Sequence, residues 1–330
     1  MSEPRKLLPD GIYVNLSEEA YFGQDRLGST DLVHLHKDPA SWWYGSRHNP
    51  DRPERERTEA MEFGSALHVL VLEGDAEFEK RCVISPFEDF RTKEARMWRD
   101  EMRINRKIIL TEDSARRVRH MAALILNHPE LGPVLNAGLS EVSVLFTNDQ
   151  GVKLRARFDK LLPRFVCDLK SFGDDARGRS VRQQCLALVA QRDMDVQRFL
   201  YFQARMRMGA LIEANAVFGA TPEQVQWLQR VAAIEDWEWC WIFFRRRDDQ
   251  KATAPIVKPI LRKHLDATFD SGRRKVQVGL TNYANFIQRF GFEIPWAVVE
   301  PADEPADHEF PAYLADVHEP AEFPDERTAA

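Results

Sequence analysis

The stretch from Glu141 to Lys170 constrains the fold more than any other part of the chain. Residues 141–147 and 152–162 read as extended segments around the turn formers Asn148-Asp149-Gln150-Gly151, and residues 165–171 as a third after Pro163. The spacing predicts a meander. In its third strand Phe165, Cys167 and Leu169 point one way, while Val166, Asp168 and Lys170 point the other. In its second strand Leu154, Ala156 and Phe158 form an apolar side, and Arg155, Arg157 and Asp159 a polar one. If the two polar faces coincide, Asp159, Asp168 and Lys170 converge.

Two nearby carboxylates repel when both are ionised, and a divalent cation removes that penalty. Oxygen donors with few sulfur or imidazole groups suit Mg²⁺ or Mn²⁺ better than Zn²⁺. Lys170 beside them would orient or help deprotonate a water, or stabilise charge on a phosphate. An ordinary hairpin with exposed charges gives the same Asp-x-Lys spacing.

Asp159, eight intervening residues and then Asp168-Leu169-Lys170 resembles the acid…(Asp/Glu)-x-Lys motif of the PD-(D/E)xK nuclease superfamily. More narrowly, Arg155-Ala156-Arg157-Phe158-Asp159 followed by Val166-Cys167-Asp168-Leu169-Lys170-Ser171 is similar to the hairpin of RecE-like (exodeoxyribonuclease VIII-like) phage and prophage exonucleases. Gly64-Ser65-Ala66-Leu67-His68 is similar to that family's Gly-x-Ala-x-His helix, and Gln197 to Tyr201 to its Gln-x-x-x-Tyr helix. In order and spacing the resemblance spans roughly residues 28 to 300. Asp168 stands where Glu is common, Ser171 where Thr is usual, and Met194 where an aromatic is usual.

The resemblance implies an α/β fold with a PD-(D/E)xK restriction-endonuclease-like core, a central mixed β-sheet flanked by helices. It implies that His68, Asp159, Asp168 and the Leu169 carbonyl hold Mg²⁺, with Mn²⁺ able to substitute. Glu141 would help hold the metal or a water, and Gln197 and Tyr201 would contact phosphate or position the attacking water. The implied activity is 5′ to 3′ digestion of linear double-stranded DNA, leaving a 3′ single strand for recombination. The implied assembly is a homo-oligomeric ring, a trimer or tetramer, working with a single-strand annealing protein. An endonuclease or single-strand-preferring nuclease of the same fold, or a non-catalytic DNA-binding protein, remains open at this point.

Elsewhere the chain divides into an N-terminal loop with a short strand (1–28), a nuclease domain with helical elaborations (29–299) and an acidic, Pro-rich tail expected to be mobile (300–330). Residues 29–35 read as a capped helix, 78–84 as a strand, 180–208 as helix interrupted near Arg192-Asp193, and 237–247 as a strand buried on both faces. Residues 254–260 read as an edge strand because of Pro255 and Pro259, and residues 260–270 as a helix. Trp42, Trp43 and Tyr44 read as packing residues.

The formal charge of −6 does not advertise nucleic-acid binding, but residues 151–208 carry thirteen Lys and Arg against six Asp. The four cysteines, at 82, 167, 185 and 240, are isolated, which argues against a zinc knuckle or an iron–sulfur cluster. No apolar run suggests a signal peptide or membrane span, so a cytoplasmic location is expected.

Overall fold

The computed structural model describes residues 7–53, 57–173, 178–245, 255–263, 266–298, 304–306 and 309. The chain forms two compact units, Met1–Trp296 and Ala297–Ala330. The expected acidic tail lies almost wholly outside the described residues. All that follows concerns the first unit.

Its elements run β1 (Gly11–Tyr13), α1 (Glu18–Gly23), α2 (Ser29–Lys37), α3 (Pro39–Gly45), α4 (Glu59–Leu72), α5 (Asp75–Arg81), β2 (Cys82–Ile84), α6 (Lys93–Ile104) and β3 (Ile108–Leu110). Then come α7 (Glu112–Leu126), α8 (Leu131–Asn136), β4 (Leu139–Thr147), β5 (Lys153–Leu161) and β6 (Phe165–Phe172). The chain continues through α9 (Val181–Gln191), α10 (Met194–Glu213), β7 (Val217–Phe218), α11 (Pro222–Ala232), β8 (Glu238–Arg245), β9 (Ile256–Lys263) and α12 (Ala267–Phe290).

Seven strands form one mixed sheet in the order β7-β1-β4-β5-β6-β8-β9, and β2 pairs with β3 in a small separate sheet. The central meander β4-β5-β6 is antiparallel, whereas β6 and β8 run parallel. The sheet is buried on both faces. On one, Val142, Val144, Phe146, Leu154, Ala156, Phe158, Trp239, Trp241 and Phe243 pack against α2, α10 and α12. On the other, Cys167, Leu169, Cys240, Ile242 and Phe244 pack under α4 and α7. The strict alternation of β8 between these two cores follows from period-two side-chain direction.

Local sequence explains how the helices are set. Thr58, Thr111, Ser180 and Thr221 each accept a hydrogen bond from a first-turn amide, starting α4, α7, α9 and α11. The helical stretch after Ser180 does break at Arg192-Asp193, where Asp193 adopts a left-handed φ of 47°. Two expected elements differ. Residues 75–81 are helical, leaving only Cys82–Ile84 extended, because an acidic start and a basic end favour the helix. Residues 260–263 continue β9, whose partner β8 supplies the ladder, and the last helix starts only at Ala267, capped by Asp266.

Candidate metal centre

The five residues 148–152 close the turn that pairs Thr147 with Lys153, and the register it sets runs unshifted to Leu139 opposite Leu161. Glu141 therefore falls opposite Asp159. At that point Glu141 takes a left-handed φ of 54°, a conformation that crowds an ordinary side chain and that persists where surrounding structure holds it. Here apolar residues change sides: Phe158 and Leu161 both belong to the core beneath α10, although they are an odd number of residues apart. The local twist turns Glu141 and Asp159 together toward α4.

There they meet His68. One ligand atom from each of His68, Glu141 and Asp159 lies within 4.8 Å of the others. His68 Nδ1 is 3.6 Å from Asp159 Oδ2. His68 Nε2 is 3.0 Å from the Leu169 carbonyl oxygen, which can only accept, so the proton is assigned to Nε2 and the Nδ1 lone pair faces the two carboxylates. Burial and the nearby Lys170 charge push the His68 pKa down to about 4, which keeps the ring neutral.

Asp168 lies across a fork in the sheet. The β5–β6 ladder extends only over Lys160 and Leu161, after which Asp159 Oδ2 takes the Leu169 amide at 2.8 Å in place of a strand partner. Asp159 lies beside His68 of α4 and Asp168 bonds Gln197 of α10, yet Asp159, Asp168, Lys170 and His68 remain close enough to act on one another's charge. Asp168 is 1% exposed, and its Oδ1 accepts from Lys170 Nζ and Gln197 Nε2, each at 2.8 Å. Its Oδ2 is also 2.8 Å from the Lys170 ammonium, but misaligned for a hydrogen bond. Gln197 in turn bonds the Tyr201 side chain, which is buried against Phe158 and Trp239. Gln197 and Tyr201 thus back the site from the α10 side, and Tyr201 does not line the cleft.

The electrostatics of the cluster suit a cation. Burial, and then the Asp159 charge, push Glu141 up to about 8. Burial likewise raises Asp159, and raises Asp168 to about 6 against the pull of Lys170. Lys170 would itself be lowered by burial, but Asp168 and Asp159 outweigh that and keep it protonated. Burial and crowding beside the imidazole lone pair hold Glu141 and Asp159 toward their protonated forms, and a divalent ion would displace the shared proton and convert the crowding into coordination. The residues present therefore fit a divalent metal, with the Leu169 carbonyl as a neighbouring oxygen.

The cluster opens into a cleft of about 2430 Å³ that also reaches Gly64, Ser65, Arg57, Arg103 and Arg106. Thirteen Lys and Arg and nine Asp and Glu line it. The basic residues of the meander mostly serve the fold instead. Arg155 donates to the carbonyls of Tyr21, Phe22 and Gln24, and Arg157 to those of Leu16 and Ser17 and to Ser143 Oγ. Arg198 and Arg205 are almost fully buried. The sequence signal for Glu141's place in the cluster is the turn length, which sets it opposite Asp159.

A family model described as a PDDEXK-like domain of unknown function (DUF3799) matches residues 44–221, more than half of the chain. That span contains His68, Glu141, Asp159, Asp168, Lys170, Gln197 and Tyr201. A search of curated proteins returns no match.

Proposed function

The chain belongs to the family of PDDEXK-like domains, and from that premise we propose that it is a divalent-metal-dependent, RecE-like exodeoxyribonuclease acting on linear double-stranded DNA. The observation that carries this reading is the convergence of His68, Glu141 and Asp159 in a basic cleft. The Asp168–Lys170 pair beside them adds a held carboxylate and a fixed ammonium.

In this reading His68 Nδ1, Glu141 and Asp159 hold Mg²⁺, or Mn²⁺ in its place, and Asp168 Oδ2 and the Leu169 carbonyl are the neighbouring donors. The bound ion would supply charge compensation at the scissile phosphate and acidify the attacking water. Lys170 keeps Asp168 ionised and offers its ammonium to the charge that builds on the phosphoryl oxygens. Gln197 fixes the rotamer of Asp168, and Tyr201 fixes Gln197; both are positioning residues. Action from the 5′ end, ring assembly and work with an annealing protein rest on the resemblance of the motifs.

The test is cleavage of linear duplex with Mg²⁺, with Mn²⁺ and with excess chelator. Asp168→Asn and Lys170→Ala should retain the fold and bind DNA yet cleave at least ~10²-fold more slowly, since each removes charge placed for the transition state. Full cleavage by metal-free protein, or near-normal turnover in either variant, would move the chemistry elsewhere.

A further inference from the structure

Six residues before His68 on α4, behind the cleft wall, lies a charged group that the metal cluster does not use. Glu62 is 5% exposed, an unusual burial for a carboxylate, and its Oε2 makes no hydrogen bond. Its Oε1 lies 3.5 Å from Arg57 Nε, and the Arg103 charge acts on the same carboxyl. Arg57 Nη2 donates to Ser65 Oγ at 2.9 Å, which leaves the Ser65 hydroxyl proton to donate onward. Arg103 Nε is buried with no hydrogen bond made. Arg57, Ser65 and Arg103 all line the cleft with His68.

The buried carboxylate thus pairs with the Arg57 guanidinium, and Arg103 is near enough for its charge to act on the same group, leaving a net positive charge with an unused hydroxyl donor on the cleft side. Guanidinium pairs with an adjacent hydroxyl match phosphate oxygens in geometry and charge, and a guanidinium held from behind loses little freedom on binding. Ser65 and His68 are three residues apart on α4, so the two stations are separated by about one helical turn, ~5 Å along the axis.

We propose that Arg57, held by the buried Glu62, forms with Ser65 and Arg103 a second station in the cleft that grips a DNA backbone phosphate near the one at the metal cluster. This rests on the nuclease reading above and deepens it. The station sets which phosphate is presented to the cluster, and Glu62 is its positioning residue.

The test measures duplex binding by anisotropy across a salt series in chelator, for the full chain and for Arg57→Gln, Arg103→Gln and Arg57→Lys, with Arg230→Gln as a control outside the cleft. Each Arg-to-Gln change should lower the salt slope by about 1, because one phosphate contact is lost. Arg57→Lys and Arg230→Gln should keep the slope, and matched thermal unfolding separates lost contact from lost fold. KM for cleavage should rise about tenfold in the two Gln variants. Duplexes with 5′-phosphate or 5′-hydroxyl ends identify the source: a preference erased by Arg57→Gln marks a terminal phosphate, and equal loss on both marks an internal one.

Unchanged slope and KM in both Gln variants would overturn the station while leaving the nuclease reading intact. Lost slope in a wild-type protein that binds but never cleaves would support the station and sink the nuclease reading.

Discussion

At the scale of single residues, the site is a set of groups each held in an unfavourable state by the fold around it. Glu141 sits at positive φ, burial holds the His68 pKa well below the usual imidazole range, and the carboxyls of Glu141 and Asp159 are crowded together. Such strain accumulates where function requires it. If His68 serves the metal, His68→Ala should leave unfolding of the metal-free protein nearly unchanged, since only one partly exposed hydrogen bond is lost, worth ~1 kcal/mol. The stabilisation gained on adding Mn²⁺, which grows with free ion over Kd, should shrink. Thermal melts with and without the ion read both effects, and an earlier-melting apo variant with normal metal response would make His68 a packing residue. His68, Asp159 and the Asp168–Lys170 pair were legible in the sequence as motif positions. That Glu141 joins Asp159 as closely as it does was less so, because a motif gives spacing along the chain and not the strand register that brings a further carboxylate to the cluster.

At the scale of elements, close approaches of backbone decide more than composition does. On α12, an added methyl at Gly272 would lie 2.2 Å from the Asp195 carbonyl oxygen, and one at Gly279 would lie 2.9 Å from that of Leu32. These two glycines let the helix settle against α10 and α2, where Lys275 also reaches Asp193 and Asp195 at 2.8 Å. On α4, by contrast, a methyl at Gly64 meets only Ser171 Oγ at an ordinary 3.7 Å. Gly272→Ala should therefore destabilise by ~1–3 kcal/mol through overpacking, while Gly64→Ala should be neutral or stabilise by up to ~1 kcal/mol through helix propensity. Denaturant midpoints of the two variants compare them directly, and a Gly64→Ala loss as large as that of Gly272→Ala would refute this account of the α4 contact. The two-sided strand β8 and the edge strand β9 could be read from alternation and from Pro255 and Pro259. The single 24-residue helix α12 could not: its apolar positions are separated by charged runs, and its path is set by contacts with helices distant in sequence.

At the scale of the whole molecule, the question is how an acidic chain presents itself to DNA. The positive excess of residues 151–208 is largely spent in tethering the N-terminal segment and burying Arg198 and Arg205. The cleft takes much of its basic lining from α5, from α6 and the residues after it, and from the loop before α4; in the sequence, residues 86–107 read either as the wall of a DNA entrance or as a solvated charged helix. No helix among the described residues is long and apolar enough to cross a membrane. Such a cleft attracts a phosphate backbone from either direction, so charge alone sets no polarity. The RecE-like reading adds the 5′ to 3′ direction and a ring that encloses duplex, which would restrain dissociation between successive cleavages. Duplexes labelled at one 5′ or one 3′ end, digested with excess unlabelled trap, test both parts together. Early release of the 5′ label, with degradation that continues after the trap, is the expected result. First release of the 3′ label would reverse the polarity. A protein that sediments as a monomer and still survives the trap would require processivity from the cleft itself, whose lining carries thirteen Lys and Arg against nine Asp and Glu.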